Sequence, residues 1–83
     1  MKLLYFAWLR THIGVNEELV TPPDDVRTVA DLVGWLKTRG SGYAEALKHD
    51  SVVRVAVNQT FADPATPVGQ DDEVALFPPM TGG

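Results

Sequence analysis

The chain has 83 residues, 45% of them hydrophobic and 22% charged, enough for one small globular domain, too few for a second and too apolar for a disordered segment. Eleven acidic residues against seven basic give a net charge of -4, which disfavours nucleic acid and anionic membranes and suits a basic protein partner. Cysteine is absent, so disulfides, thiolate metal sites, iron–sulfur clusters and cysteine nucleophiles are excluded.

Residues 2–9 read as a first strand, with Leu3, Tyr5 and Ala7 on one face and Leu4, Phe6 and Trp8 on the other. Both faces are apolar. Either the strand is central and covered twice or one face is an exposed binding patch, and so short a chain can hardly cover both. The run superficially resembles a signal peptide, but Arg10 ends it early and no small-residue cleavage site follows. No apolar run approaches the roughly 18 residues of a membrane span, so a cytoplasmic location is expected. Residues 10–14 look like one helical turn stopped by Gly14, and residues 17–21 like a second strand ended by Pro22-Pro23-Asp24-Asp25.

Thr28 then opens a helix as N-cap, with Asp31 in the first turn where a carboxylate meets the positive helix end. Val29, Leu32, Val33 and Leu36 fall at i, i+3, i+4 and i+7 and define one buried stripe. Lys37 and Arg39 in the last turn, with Gly40 after them, suit its C-terminus. Residues 43–47 suggest a further short helix. Residues 52–57 form a third strand with Arg54 on its outer face and Val53, Val55 and Val57 inward. Asn58-Gln59 suggests a turn, residues 60–62 a short fourth strand, and Asp63-Pro64-Ala65-Thr66-Pro67 a loop. Gly69-Gln70-Asp71-Asp72 turns the chain into a last strand over residues 73–77. His12 and His49 lack the spacing and companions of a metal site, so no metal is expected.

Beyond the last strand come Pro78-Pro79-Met80-Thr81-Gly82-Gly83. The prolines favour an extended path that projects the end away from the body. Six residues reach at most roughly 20 Å, enough to cross a partner's wall and deliver a carboxyl group. Gly82 and Gly83 fit a narrow tunnel but lose the most entropy on ordering, a cost that function should justify. A frayed terminus of small residues is the bland alternative.

This order of elements predicts an α+β fold: a β-grasp in which a mixed sheet packs one face on a single main helix and the first and last strands pair in parallel. Residues 1–77 form the domain and 78–83 a flexible tail. The chain resembles the small, ubiquitin-like subunit of molybdopterin synthase over essentially its whole length. The resemblance is carried by Leu4-Tyr5-Phe6-Ala7 with Arg10, by Ala56-Val57-Asn58-Gln59-Thr60, and above all by residues 71–83, where an acidic turn leads through Val74-Ala75-Leu76-Phe77-Pro78-Pro79 to Gly-Gly.

The resemblance implies a sulfur carrier in molybdenum cofactor biosynthesis that binds no permanent cofactor. A ubiquitin-activating-type enzyme would adenylate Gly83 with ATP and a sulfur donor would convert the acyl-AMP to a thiocarboxylate. The tail, Gly82 included, would then enter the large synthase subunit and give its sulfur to cyclic pyranopterin monophosphate. Acid–base machinery would belong to the large subunit, in a heterotetramer. Phe6, Phe61 and Phe77 align with the family's partner-binding apolar patch, Arg10 with a polar contact beside it, and Pro78, Pro79, Met80 and Thr81 with the segment that enters the partner. The alternatives are a thiamin-thiazole sulfur carrier, a ubiquitin-like modifier joined to lysines through Gly83, and an interaction module with an idle tail.

Overall fold

The computed structural model describes residues 1–79. Five strands, β1 (Lys2–Tyr5), β2 (Glu17–Leu19), β3 (Arg54–Val57), β4 (Thr60–Ala62) and β5 (Glu73–Phe77), and three helices, α1 (Ala7–Ile13), α2 (Val29–Lys37) and α3 (Ser41–Leu47), make up the domain, with a 3-10 turn at Asp50–Val52. The strands form one mixed sheet in the order β2-β1-β5-β3-β4. β1 and β5 are the parallel pair, with Leu3 beside Val74 and Tyr5 beside Leu76. β2 lies antiparallel to β1, and β3 antiparallel to both β5 and β4. This is the predicted β-grasp.

The main helix forms where its capping sequence says it should. The Thr28 hydroxyl accepts from the Asp31 N–H (3.2 Å) and the Asp31 carboxylate accepts from the Thr28 N–H (3.1 Å), a reciprocal capping box. The backbone N–H of Arg27 also donates to that carboxylate, and these donors hold the Asp31 carboxyl below the usual range. The 63–67 loop closes over the same end: the N–H of Val29 donates to Thr66 O and that of Ala30 to Pro64 O. All four predicted stripe residues are buried, roughly 6–12 kcal/mol of apolar transfer free energy. They meet Leu3, Tyr5, Val55, Val74 and Leu76 from the sheet and Leu9, Ala46 and Leu47 from the shorter helices in a single core.

Four expectations change. The first strand stops at Tyr5, and residues 7–13 are helical. Covering both faces of a longer strand is beyond this chain, and a helix sends Leu9 (fully buried) and half-buried Ile13 into the core one turn apart. Phe6 is therefore the N-cap of α1 (φ -124°, ψ 153°) and not a strand residue, while Gly14 ends the helix in the left-handed region as expected. Second, the main helix is joined in the core by two shorter ones, because α3 packs against both α1 and α2. The α1–α3 crossing is close enough that a Cβ on Gly42 would clash with the His12 carbonyl oxygen. Third, Gly40 does not terminate α2: Thr38 does, its hydroxyl donating to Trp35 O at 2.6 Å, and Gly40 is the N-cap of α3. Fourth, β3 begins at Arg54 and β2 ends at Leu19, although Val20 still exchanges backbone hydrogen bonds with Met1.

The two-residue turn after β3 places Asn58 (φ 50°) and Gln59 (φ 70°) in the left-handed region, as a tight hairpin requires. The Asn58 side chain donates to Asp72 Oδ1 and accepts from the Glu73 N–H, tying the turn to the start of β5. No described helix is long and apolar enough to cross a membrane.

Candidate docking face and carboxyl-terminal tail

Alternation along β5 decides what the sheet offers to solvent. Val74 and Leu76 are fully buried beneath the helices, so Glu73, Ala75 and Phe77 lie on the opposite face. Registers extend that face sideways: Leu4 pairs with Ala75, Ala75 with Ala56, and Ala56 with Phe61, giving an apolar row across four strands. Among the described residues no element covers it. Phe61 is 81% exposed and its ring lies 6.0 Å from that of Phe77. Those two rings with Arg54, Val55, Ala62 and Pro79 line a shallow cleft of about 370 Å³.

Phe6 joins the patch from the end of β1, in the same direction as the C-terminal end of β5. Its N–H donates to Leu76 O (3.2 Å), carrying the parallel ladder one residue further, and its side chain is 47% exposed. The next residue, Ala7, has φ 54°, a left-handed conformation costing about 1 kcal/mol or more for a residue with a Cβ. That twist ends the strand and starts α1. Arg10 lies exposed on α1. The structure thus gathers Phe6, Phe61, Phe77 and Arg10 at or beside the end of the sheet from which Pro78 and Pro79 leave, both half-buried. Met80, Thr81, Gly82 and Gly83 lie outside the described residues. Among those residues no group of three or more His, Cys, Asp or Glu side chains could hold a metal ion.

On the covered face, a polar cluster emerges that the sequence reading did not find. Glu18 is the inward-facing residue of edge strand β2, and its carboxylate accepts from Tyr5 Oη (2.6 Å), Tyr43 Oη (2.7 Å) and Arg39 (3.0 Å). The Arg39 guanidinium also lies 5.1 Å from the ring centroids of Trp35 and Tyr43. Burial and the Glu18 carboxylate push both tyrosine hydroxyls above their ordinary value. Burial works to raise Glu18, but its three donors outweigh that and hold the carboxyl low. The only signal in sequence was a charged residue at the inward position of a strand, and its partners are 13, 21 and 25 residues away. This cluster clamps β2 to the helices and lies on the face opposite the patch.

The sequence matches the ThiS family over residues 3–83. This chain belongs to the ThiS family. It is 36% identical to the molybdopterin synthase sulfur carrier subunit of Haemophilus influenzae, over all of this chain and 99% of that protein. Among solved structures, a putative molybdopterin converting factor subunit 1 from Pyrococcus furiosus superposes with a TM-score of 0.76 at 31% identity, covering 95% of each chain. SAMP1 from Haloferax volcanii superposes with a TM-score of 0.75 at 27% identity over all of this chain and 98% of that one. The same fold is thus shared with a structure named a small archaeal modifier protein, also from Haloferax volcanii, and the apolar face of this chain lies where its tail begins.

Proposed function

We propose that this ThiS-family chain is the sulfur-carrying small subunit of a molybdopterin synthase, working in the cytoplasm, with the carboxyl group of Gly83 as its attachment point. The observation that carries this reading is the end-to-end likeness to a sulfur carrier subunit. A C-terminal carboxyl with pKa near 3.5 is ionised at neutral pH and is a poor electrophile. A ubiquitin-activating-type enzyme joins it to the α-phosphate of ATP, releasing pyrophosphate. A persulfide on a donor protein then attacks the acyl carbon and AMP leaves; a second thiol attacks the donor sulfur of the resulting acyl disulfide, so that a new disulfide forms and the thiocarboxylate is released. With no cysteine in the chain, sulfur has no thiol on which to ride instead.

Discharge takes place in the large subunit, where the thiocarboxylate sulfur is passed to cyclic pyranopterin monophosphate. Each carrier delivers one sulfur, so a dithiolene takes two loaded chains in turn, and a heterotetramer with two copies of each subunit suits that sequence. This chain's own residues bind and position; the acid–base groups are the large subunit's. Ordering about five tail residues costs on the order of 5–10 kcal/mol, and burying the Phe6, Phe61 and Phe77 side chains contributes roughly 5–9 kcal/mol before other association costs. Docking of the bare face thus offsets threading of the tail.

The test is mass spectrometry of the purified chain after incubation with ATP, the activating enzyme and a sulfur source, followed by a thiol alkylating reagent. A thiocarboxylate appears as alkylation mapped to Gly83, and its loss on adding the large subunit with cyclic pyranopterin monophosphate identifies the acceptor. Persistent carboxylate would sink the reading. The likeness to SAMP1 favours a second one, in which Gly83 forms isopeptide bonds; its signature in the same spectra is Gly-Gly remnants on lysines of other proteins.

A further inference from the structure

Most of the cationic side chains of this chain have a partner within it. Of seven Lys and Arg residues, Lys2, Arg39 and Lys48 pair with Glu17, Glu18 and Glu45. Arg27 donates to Asp24 O and lies close enough to Asp31 to lower its carboxyl, and Lys37 also has an interaction. Among the described residues, only the Arg10 and Arg54 side chains make no hydrogen bond or ion pair. Both lie beside the tail exit. β5 runs between β1 and β3; α1, with Arg10, grows from the end of β1, and Arg54 opens β3 directly opposite Phe77.

Arg54 cannot escape burial if the patch is used. Its guanidinium stem shares one cleft with Phe61, Phe77 and Pro79, so a partner surface that covers those rings and receives the tail also covers Arg54. An unpaired guanidinium taken out of water costs enough to cancel the gain from the neighbouring rings. Among the described residues no acid forms an ion pair with it, and on the sulfur-carrier reading the chain's own terminal carboxyl is inside the partner, up to roughly 14 Å beyond Pro79. We propose that Arg54 is a specificity-determining residue of the docking face, seated against a carboxylate that the large synthase subunit presents at the rim of the opening that takes the tail. The inference rests on the function proposed above and adds a chemical demand on the partner: an Asp or Glu placed for a two-point guanidinium contact next to an apolar pocket for Phe61 and Phe77. In the free chain the same charge flanks the apolar row, opposite Phe77, and discourages two copies from stacking face to face.

The experiment is titration of the purified large subunit with the full-length chain and its variants by calorimetry at low and high salt. Arg54→Gln is expected to weaken binding about 30-fold or more, as for truncation of one member of a buried charge pair. Arg54→Glu is expected to weaken it further, and Arg54→Leu to fail to restore it, all with melting temperatures like that of the parent. Arg54→Lys, treated with a carbodiimide in the complex, should give an amide cross-link mapped to one Asp or Glu of the large subunit. Phe61→Ala serves as the reference for the reading beneath. If Phe61→Ala weakens binding and Arg54→Gln or Arg54→Leu binds as well as the parent or better, the Arg54 assignment is overturned and the sulfur-carrier reading stands. Absence of binding by the parent chain overturns both.

Discussion

The two faces of the sheet are made from the same strands by alternate residues, yet they do opposite things. Beneath the helices, Leu3, Val74 and Leu76 are fully buried and Val55 nearly so; one residue along, half-buried Leu4, Ala75, Phe77 and Ala56 face outward with exposed Phe61, and no described helix covers them. Water accounts for the first face: apolar side chains gather where a helix stripe removes them from solvent. It argues against the second, since an open row of aromatic and aliphatic side chains in an 83-residue protein brings no stability and invites aggregation. A row of this kind is the surface that a partner would cover on the function proposed above, so on that reading the contrast between the faces separates residues that hold the fold from residues that use it.

That contrast can be broken by experiment, beginning with its largest expected effect. Leu76→Ala removes a fully buried side chain and should cost about 2–5 kcal/mol, read from urea unfolding of the free chain. Gly42→Ala drives a Cβ against the His12 carbonyl oxygen and should cost roughly 1–3 kcal/mol by forcing α1 and α3 apart. Glu18→Gln keeps the shape of the β2 clamp but weakens its charged hydrogen bonds, a loss of about 1–2 kcal/mol at neutral pH. Its pH dependence has a definite sign. Glu18 is held below its ordinary 4.5 in the folded chain, so its contribution is complete above about that pH and disappears as pH falls through the lower folded value. The gap in urea midpoint between parent and Glu18→Gln should therefore narrow on acidification from pH 7 to pH 3. Phe61→Ala is the smallest: within about 0.5 kcal/mol in stability, while weakening the large-subunit complex at least tenfold. A stability loss at Phe61 comparable to that at Leu76 would abolish the distinction between the faces.

How much of this was legible in the sequence depended on how local the cause was. The α2 cap, its buried stripe and the outward placement of Phe77 all follow from residues a few positions apart, and the structure agrees with each. The end of β1 was illegible because alternation of apolar residues on both faces hides a helix whose inward residues are Leu9 and Ile13, and because the reversal occurs at Ala7 without the glycine that usually marks φ 54°. The Glu18 cluster was illegible for the opposite reason: four elements bring it together, and nothing in the neighbourhood of Glu18 names Tyr43 or Arg39. Gly40 was misplaced because a glycine after a helix reads as its stop, whereas a second helix starting at Ser41 claims it. At the site, Phe6, Phe61 and Phe77 could be named from the resemblance, but Arg54 drew notice only as a marker of the outer face. Its isolation, shared only with Arg10 among the described Lys and Arg residues, becomes visible once the other five have been matched to a neighbour.

The pairing of β1 with β5 also sets a timetable. The ladder from which the tail departs joins residues 2–5 to residues 73–76, the largest sequence separation the chain offers, so the whole intervening loop must close before that ladder forms. During synthesis the first strand has no parallel neighbour until nearly the last residue has been made. Phe6 and Phe77 thus come together only once β5 has been made and paired, and a product that stops short of β5 lacks the apolar surface between them. Synthesis of that strand and assembly of the outer face are, in this topology, one event.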